Sequence, residues 1–420
     1  MWQIIQSNKR KSVLLFILIG IVLLALGALV GASFFGEGGF IIGLSFALIL
    51  WTILSSVSYF SGSKLLLKIS NATEVSKNVH PQLFNVVEEM TIAAGLPKMP
   101  KVYIINDQAP NAFATGRDPS NCAVAITAGL LTQLNRDELQ GVIAHEIAHI
   151  KNRDILFMTF AGVMLGSIVL ISQIFLRGMW FTGGGGRYKS RDSGGGQAQM
   201  IIMIVAIVFA ILSPILTQML YFAISRRREY LADASGARFT RYPEGLASAL
   251  EKLSQNKYTL KSANKVTAGL FIVNPLNKKG MKLSDLTSTH PPISERIKIL
   301  RNMNNGAGYN DYQLAFNKVK NKSSAIIPSS EIKKAERISK REGSADDKTM
   351  SKKKTQRELG DLMMNVNGYV FLACVCGLKL KFPPGFKEPQ VKCPKCGREH
   401  KVPLAELAAV TGAINEGVKK

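Results

Sequence analysis

Two histidines and a glutamate form the chemically most informative pattern in the chain. The motif H-E-x-x-H runs from His145 through Glu146 to His149 inside an apolar stretch, and the chain has only five histidines in all. Residues four apart on an α-helix lie about one turn from each other on the same face. Both imidazoles can therefore ligate one Zn²⁺, and Glu146 can take a proton from a zinc-activated water. The alternative interpretation is a pair of solvated or core histidines on an ordinary helix.

The helix that must carry this motif has clear local signals. Asn135 can act as its N-cap, and Asp137 and Glu138 lie in the first turn, where acidic side chains favour the positive end of the helix dipole. An apolar face along the same segment comprises Leu139, Val142, Ile143 and Ile147. The two histidines are therefore predicted to lie on a capped helix with a core-facing side.

A second acidic pair lies beyond a long hydrophobic interval. Glu229 and Asp233 are four residues apart and share one helical face. A catalytic zinc site needs a third protein ligand and leaves the fourth position to water. We predict Glu229 as that ligand and Asp233 as the carboxylate that orients a ligating histidine. Alone, such a pair is typical of solvated helices, and its meaning here depends on the H-E-x-x-H motif.

Four motifs, in order, give the chain a resemblance to a known family. They comprise residues 110–116, 145–149, 225–233 and 289–292, the last followed by Arg296. On these residues the chain resembles the HtpX-type membrane metalloproteases of the gluzincin group, which also contains the CAAX prenyl endopeptidases. The resemblance extends from the N-terminus to Ile299, and the usual short members have no counterpart to residues after Gly306.

This resemblance carries expectations about activity and site. It implies cleavage of membrane or misfolded proteins by a zinc-activated water. It implies that Glu229 is the third zinc ligand and that His290 helps to stabilise the tetrahedral intermediate. It also implies that a short stretch lines the bound substrate, namely Asn111, Ala112, Phe113 and Ala114.

The segment ahead of the motif is predicted to form one helix and short strands. Residues 81–94 are apolar at helical spacing, and residues 101–106 and 122–127 are rich in Val and Ile, as strands are. Residues 111–115 can form an edge strand that offers unpaired backbone groups to an extended peptide. A plain turn is the alternative for this stretch, and only the resemblance favours the strand.

Four uncharged hydrophobic stretches indicate an integral membrane protein. They cover residues 13–35, 40–62, 155–176 and 200–224, and each is long enough to span a bilayer. A cleavable signal peptide is the alternative for the first, but the stretch is too long and a second follows at once. Buried core helices are the alternative for the last two.

Basic residues predict the orientation of these spans. Lys9, Arg10 and Lys11 place the N-terminus in the cytoplasm, and each pair of spans returns the chain there, with both halves of the zinc site. Basic residues in the loop 177–199 oppose this model. Either the rule is weak for this loop, or the third and fourth stretches form a hairpin that does not fully cross. Without a transit-peptide pattern, the N-terminus favours a prokaryotic plasma (inner) membrane.

Residues 304–361 change in composition. Lys and Arg dominate, with Ser, Asn and Gly between them, which predicts a basic and largely disordered linker. Much of the net charge of +24 lies here and in the other segments predicted to be cytoplasmic. The simplest role for this charge is attraction to anionic lipid at the inner leaflet. Nucleic-acid binding is disfavoured, because no aromatic residues are interleaved for base stacking.

Paired cysteines near the C-terminus predict a second zinc site. Cys374 and Cys376, then Cys393 and Cys396, have the spacing of a four-thiolate structural zinc ribbon. Disulfides are the alternative, which a cytoplasmic location disfavours. His400 could replace a thiolate, but four cysteines already complete the ligand set. We hypothesise that the ribbon and the linker recruit substrates or a protein partner. The fifth cysteine, Cys122, is predicted to be a small buried apolar residue in a strand.

We therefore predict an α-helical membrane protein with an α+β zincin-like catalytic domain, four transmembrane helices and a small C-terminal zinc ribbon. The predicted units are a transmembrane hairpin, the first part of the catalytic domain, a second hairpin, the rest of the catalytic domain, the linker and the ribbon, at residues 1–62, 63–154, 155–224, 225–303, 304–361 and 362–420. The predicted activity is a zinc endopeptidase acting on unfolded or membrane proteins at the cytoplasmic side of the bilayer, with one catalytic and one structural Zn²⁺. A specialised processing protease of the CAAX type, and a membrane-anchored adaptor with a vestigial site, are the alternatives.

Overall fold

A computed structural model describes most of the chain. It covers residues 2–35, 38–182, 195–256, 258, 260, 270–273, 290–303, 306–321, 325–328, 331–332, 338–344 and 352–408. About half of the loop predicted at 177–199 and about a third of the segment 304–361 lie outside these residues.

Helices dominate the described residues. In chain order, α1 to α11 are Trp2–Phe35, Gly39–Ile69, Pro81–Ala94, Ala128–Gln133, Arg136–Lys151, Ile155–Thr182, Gly195–Thr240, Pro243–Gln255, Ile293–Arg301, Tyr309–Lys320 and Lys352–Val366. The strands β1 to β8 are Ala72–Glu74, Lys101–Ile105, Ala112–Asp118, Asn121–Thr127, Val370–Ala373, Lys379–Phe382, Gln390–Lys392 and Glu399–Lys401.

Helices α1 and α2 form an apolar hairpin. Their segments Ile5–Ser33 and Gly39–Ile69 are long and apolar enough to cross a membrane. Two glycines let the helices approach closely, because a Cβ on Gly43 would lie 2.8 Å from the Cα of Gly31. Outward-facing residues of α2 include Phe46 and Phe60, which are 67% and 69% exposed. The first two predicted spans therefore have the length and surface of membrane helices.

The second predicted pair of spans lies within α6 and α7. Their most apolar described stretches, Ser167–Arg177 and Met203–Ile215, are shorter than a bilayer crossing requires. Both belong to helices that continue well beyond them, and α7 extends to Thr240. A count of four spans therefore stays a prediction.

A four-stranded sheet precedes the motif helix. Its order is β1-β2-β4-β3, with β2 parallel to β4 and both outer strands antiparallel to their neighbours. The prediction of an edge strand around residues 111–115, rather than a turn, is confirmed, because β3 lies at the edge of this sheet.

Helix α5 carries the H-E-x-x-H motif through the centre of the catalytic core. Its start is fixed by a capping box, in which Asn135 Oδ1 accepts from the N–H of Glu138 at 2.8 Å and Glu138 Oε2 accepts from that of Asn135 at 2.8 Å. Every residue from Asp137 to Ile150 is buried. Helices α3, α7 and α8 and strand β3 surround it, so the motif is held from all sides.

The prediction of a largely disordered linker at 304–361 is wrong for its described parts. Helix α10 buries Tyr309, Tyr312 and Phe316 in the catalytic core. Residues 338–344 form a strap against α5, in which Arg341 donates to Asp137 at 2.7 Å. The high Lys and Arg content favoured disorder, but α10 is an amphipathic helix. Its basic residues lie on the outer face, and its aromatic residues recur at helical spacing.

The C-terminal region forms two β-hairpins. Strand β5 pairs with β6, and β7 pairs with β8, all antiparallel. A small apolar core joins them and comprises Leu380, Phe382, Val402 and Leu407. Helix α11 contacts α4, and Asp361 on α11 forms ion pairs with Lys379 and Lys381 of β6 at 2.8 Å each.

Candidate metal and catalytic site

His145, His149 and Glu229 converge in the buried core. The Nε2 atoms of the two histidines lie 3.2 Å apart. Glu229 places Oε2 3.5 Å from Nε2 of His145 and Oε1 3.4 Å from Nε2 of His149. Ligands about 2.0–2.1 Å from a tetrahedral Zn²⁺ are separated by about 3.3 Å. These three side chains therefore have the spacing of a zinc ligand set.

Helices α5 and α7 supply these ligands because they pack closely. Gly236 on α7 faces the turn of α5 that carries His145, and a Cβ on this glycine would lie 3.2 Å from the His145 backbone nitrogen. The glycine thus lets α7 approach α5 without a side chain between them. Glu229, two turns earlier on α7, then faces the two histidines.

The chemistry of Glu229 also fits a divalent cation. The residue is 1% exposed, and its buried Oε2 accepts no hydrogen bond. Nη1 of Arg296 lies 3.3 Å from this oxygen but donates its hydrogen bond to the Ile272 carbonyl. A buried carboxylate oxygen without a donor costs free energy unless a positive charge compensates it. Burial raises the pKa of Glu229, but the neighbouring histidines and Arg296 hold it well below its usual 4.5. A charged carboxylate therefore points at the two imidazoles.

Asp233 lies behind His145 and fixes its orientation. Its Oδ1 lies 2.9 Å from Nδ1 of His145, which leaves Nε2 directed at the ligand cluster. Arg296 holds the aspartate with two hydrogen bonds, from Nε at 2.8 Å and from Nη2 at 2.7 Å. Burial raises the pKa of Asp233, but Arg296 and His145 outweigh this and lower it from 3.8. Asp233 is thus where the sequence analysis predicted an orienting carboxylate.

His149 has an equivalent partner that the sequence analysis missed. Asp154 Oδ2 lies 3.3 Å from Nδ1 of His149, and the aspartate is fully buried. Asp154 follows the end of α5 after a turn in which Arg153 adopts the left-handed region at φ 62°. This turn directs the carboxylate back toward the helix. The only sequence signal was an acidic residue five positions after His149.

Glu146 lies beside the ligand cluster and under strand β3. The residue is 2% exposed, and the backbone N–H of Ala114 donates to its carboxylate. Burial raises the pKa of Glu146 above its usual 4.5, while the charges of His145 and His149 oppose the rise. A carboxyl group with a raised pKa near the ligands is suited to accept and return a proton.

His290 reaches the same ligand cluster from the turn before α9. Its Nε2 lies 3.6 Å from Oε1 of Glu229, and the residue is 4% exposed. Burial lowers the pKa of His290 to about 4, against the opposing charge of Glu229. A residue at this position can donate a hydrogen bond to an oxyanion that forms near the ligands.

The four predicted substrate-lining residues lie at the edge of the sheet. The Asn111 carbonyl accepts from the N–H of Thr127 at 2.9 Å, and residues 112–114 pair with β4 in antiparallel register. Alternate residues of an antiparallel strand point their backbone groups to opposite sides. Asn111 and Phe113 therefore face β4, whereas Ala112 and Ala114 present theirs at the outer edge, next to Glu146.

A short segment of the chain already pairs with this outer edge. The N–H of Ile272 donates to the Ala112 carbonyl at 3.0 Å. The Asn111 side chain donates from Nδ2 to the Val273 carbonyl at 2.8 Å. On the other side, Arg296 Nη1 donates to the Ile272 carbonyl at 3.3 Å. Residues 270–273 thus run along the edge. The ring of Phe271 packs edge-on against that of Phe113, with 5.1 Å between the ring centroids.

Comparison with known proteins decides the family. The model of peptidase family M48 matches residues 77–304. This chain belongs to that family. The protease HtpX homologue of Dictyoglomus turgidum is 46% identical to this M48 peptidase over 303 residues, 72% of this chain and 94% of the other. The homologues of Caldanaerobacter subterraneus and Lactobacillus helveticus are 41% and 43% identical and are covered to 98% and 100% of their length.

These relatives identify the M48 peptidase as an HtpX-type membrane metalloendopeptidase, so the resemblance stated from sequence is confirmed. The adaptor alternative is disfavoured by the same match. A crystal structure of Ste24p from S. mikatae aligns with 71% of this chain and 67% of that one, at 20% identity and a TM-score of 0.38, too low to add to the argument. The family match ends at residue 304, ahead of α10, α11 and the two hairpins.

The four C-terminal cysteines form a second cluster. Cys374 and Cys396 bring their Sγ atoms to 3.5 Å, and Cys376 and Cys393 bring theirs to 3.6 Å. These distances exceed a disulfide bond of about 2.05 Å, and all four are free thiols. His400 Nε2 lies 3.1 Å from Sγ of Cys374.

The turns at the two cysteine pairs have the conformation that a thiolate knuckle needs. Gly377 and Gly397 follow the pairs with φ of 81° and 72°, which favours glycine. The four sulfurs therefore have the spacing of a tetrahedral metal site. Cys122 is buried in β4 as predicted, and burial raises the pKa of its thiol to about 12.

Proposed function

We propose that this M48 peptidase hydrolyses peptide bonds of misfolded or membrane proteins on the cytoplasmic side of a prokaryotic inner membrane. The observation that carries the proposal is the convergence of His145, His149 and Glu229 with Glu146 beside them, all at most 3% exposed. Three protein ligands leave one position for water, as in catalytic rather than structural zinc sites.

The proposed mechanism assigns each side chain one task. His145, His149 and Glu229 would hold the Zn²⁺, which supplies a Lewis acid that activates water and polarises the scissile carbonyl. Glu146 takes the proton from the attacking water and delivers it to the leaving amine. His290 donates a hydrogen bond to the oxygen on which negative charge develops. Asp233 and Asp154 keep the histidines in their ligating orientation.

The substrate would bind as an additional strand along β3. The outer edge at Ala112 and Ala114 lies next to Glu146, and pairing through backbone groups tolerates many side-chain sequences. In the free chain, Ile272 occupies the Ala112 carbonyl. A bound peptide would therefore replace this internal hydrogen bond. Such tolerance suits the degradation of misfolded proteins.

The proposed topology has four crossings, with α6 and α7 as the second pair. The exposed apolar residues of α7 support this, since Ile204 and Ile211 are 54% and 51% exposed. Lys9 and Arg10 lie exposed at the N-terminal end of α1, which favours a cytoplasmic N-terminus. Glu229 follows the apolar stretch of α7, so both parts of the site would lie on that side.

The C-terminal cluster would hold a structural Zn²⁺ through Cys374, Cys376, Cys393 and Cys396. The small apolar core of the two hairpins supports this assignment, because so few buried side chains give little folding free energy without a metal. We assign the hairpins a recruiting role for substrates or a protein partner.

The test is metal removal and restoration on the detergent-purified full chain. An unfolded protein substrate is incubated with the untreated, chelator-treated and zinc-restored peptidase, and products are mapped by mass spectrometry. Zinc-dependent cuts at many internal positions are expected. Cuts confined to the C-terminus of a prenylated peptide would instead establish a CAAX-type processing protease. Equal cutting by the metal-free chain would overturn the proposal.

A further inference from the structure

Asn8 is a buried polar residue in the first membrane helix. It lies in α1 at 7% exposure, although the adjacent Lys9 and Arg10 are exposed. Burying an amide costs free energy unless its donors are used. Both acceptors of the Asn8 side chain lie in the turn between α5 and α6, where Nδ2 donates to Asn152 O at 3.3 Å and to Asp154 Oδ1 at 3.1 Å.

The two oxygens of Asp154 have separate partners. Oδ2 lies 3.3 Å from Nδ1 of His149. Oδ1 receives the Asn8 hydrogen bond and lies 3.6 Å from Nη1 of Arg228. Arg228 in turn stacks on Phe157 with its Cζ 4.1 Å from the ring centroid. One oxygen therefore anchors the carboxylate while the other faces the zinc ligand.

A second contact ties the same cluster to α1. Arg228 Nη2 donates to Ser12 Oγ at 2.9 Å, and Ser12 lies one turn after Asn8 on the helix. Arg228 immediately precedes Glu229, the proposed third ligand. The first membrane helix thus contacts Asp154, which faces His149, and Arg228, which precedes Glu229 in the chain.

We infer that Asn8 is a positioning residue for the zinc ligand His149 and acts through Asp154. The metal site is then fully ordered only when the first membrane helix is docked against the turn after α5. Loss of the amide frees Asp154 to rotate away from His149, and the ligand set loses part of its preorganisation. This inference rests on the proposed function, because it takes His149 as a zinc ligand.

The test measures zinc affinity of the full-length chain in detergent by competition with a chromogenic chelator. All variants carry Cys393→Ser and Cys396→Ser, so that the C-terminal cluster does not contribute. Mutation of a residue that orients a metal ligand typically lowers metal affinity by about 10–100-fold. We expect Asp154→Asn to weaken zinc binding about tenfold or more, and Asn8→Ala several-fold.

Two comparisons separate positioning from a general loss of stability. The double variant should bind zinc no more weakly than Asp154→Asn alone, because Asn8 acts through that carboxylate. Ser172→Ala is the matched control, since it removes another buried hydrogen bond from a predicted membrane helix, to Ser213 at 3.3 Å. It should leave zinc affinity unchanged.

Equal zinc affinity of Asn8→Ala and the unchanged chain would overturn the inference, as would additive losses in the double variant. If Asn8→Ala does not fold, Asn8→Leu, which keeps the size of the side chain but has no donor, is measured in its place, with the same outcomes. Zinc affinity requires no substrate, so absence of cleavage would count against the proposed function only. Zinc binding that survives Glu229→Gln unchanged would likewise refute the ligand set and not the Asn8 contact.

Discussion

Arg296 and Asp233 form a fully buried, two-pronged ion pair beside the ligand cluster. The guanidinium donates from Nε and Nη2 to the two carboxylate oxygens at 2.8 Å and 2.7 Å. Its Nη1 also lies 3.3 Å from Oε2 of Glu229. One cation thus contacts both acidic residues that α7 places next to the histidines.

Replacing Arg296 with Lys should weaken zinc binding while leaving the chain folded. Lysine keeps the charge but cannot donate to both carboxylate oxygens in this geometry. We expect a loss of about 10–100-fold in zinc affinity or kcat. Arg296→Met should instead destabilise the fold by about 3–5 kcal/mol, because the buried carboxylates of Asp233 and Glu229 lose the cation that faces them. Chelator competition and thermal unfolding distinguish these effects, and equal behaviour of both variants would contradict this role.

Removing the Ile272 N–H should improve substrate binding. Ile272→Pro deletes the hydrogen bond to the Ala112 carbonyl and so frees this carbonyl for a substrate N–H. A backbone hydrogen bond contributes about 1 kcal/mol, so KM should fall about fivefold with little change in kcat. Val273→Ala is the control, because it preserves the backbone contacts of the segment. An unchanged or higher KM for Ile272→Pro would show that substrate does not use this carbonyl.

Local sequence signals were enough to predict the motif helix and its histidines. Asn135 and Glu138 form the expected capping box, and Glu229 and Asp233 face the site because their spacing matches one helical turn. The edge strand was expected from the family resemblance rather than from its own residues, which fit a turn equally well.

The remaining parts depend on tertiary contacts that no local pattern specifies. Asp154 faces His149 only because the chain reverses at Arg153. Arg296 reaches Asp233 across 63 residues of sequence. Helix α10 did carry a usable signal, since Tyr309, Tyr312 and Phe316 recur at helical spacing, but the basic composition around them was given more weight.

Zinc affinity should fall as pH is lowered. Burial lowers the pKa of His149, but hydrogen bonds with Asp154 and Glu229 outweigh it and raise the pKa to about 10. The pKa of His145 is also raised from 6.5, since Asp233 and Glu229 outweigh its burial. The metal-free histidines therefore hold protons near neutral pH, and binding must release them. Affinity consequently rises with pH up to about 10.

Calorimetry in buffers of different ionisation enthalpy measures this proton release directly. The Cys393→Ser, Cys396→Ser background again isolates the site on α5 and α7. A binding enthalpy that depends on the buffer, together with tighter binding at pH 8 than at pH 6, is expected. An enthalpy independent of the buffer would contradict the raised pKa values.

The strap at residues 338–344 should stabilise the catalytic domain through Asp137. Ser344 donates to Oδ2 from its backbone nitrogen at 2.6 Å, and Arg341 donates to Oδ1 at 2.7 Å. Arg341→Ala should cost about 1–3 kcal/mol, because a largely buried carboxylate loses a charged donor. Lys340→Ala, an exposed neighbour, is the control. Equal Tm values for the two variants would contradict a stabilising strap.

The contribution of Asp137 to the stability of the catalytic domain should also depend on pH. Burial raises its pKa, but Ser344 and Arg341 outweigh this and hold the pKa below its usual 3.8. Stabilisation is therefore fully present above about pH 4 and is lost as pH falls through the folded pKa. The Tm difference between the unchanged chain and Asp137→Asn should shrink on acidification below pH 4. A Tm difference that grows below pH 4 would contradict the lowered pKa of Asp137.

Glu146→Gln is the most direct test of the account. This change keeps the size of the side chain and all three ligands but removes the group that accepts the proton. The variant should bind zinc as tightly as the unchanged chain and cut an unfolded substrate about 10²–10⁴-fold more slowly. Zinc content and kcat are measured on the same preparation. Cleavage at the unchanged rate, or loss of the zinc together with the activity, would contradict the proposed division between ligands and base.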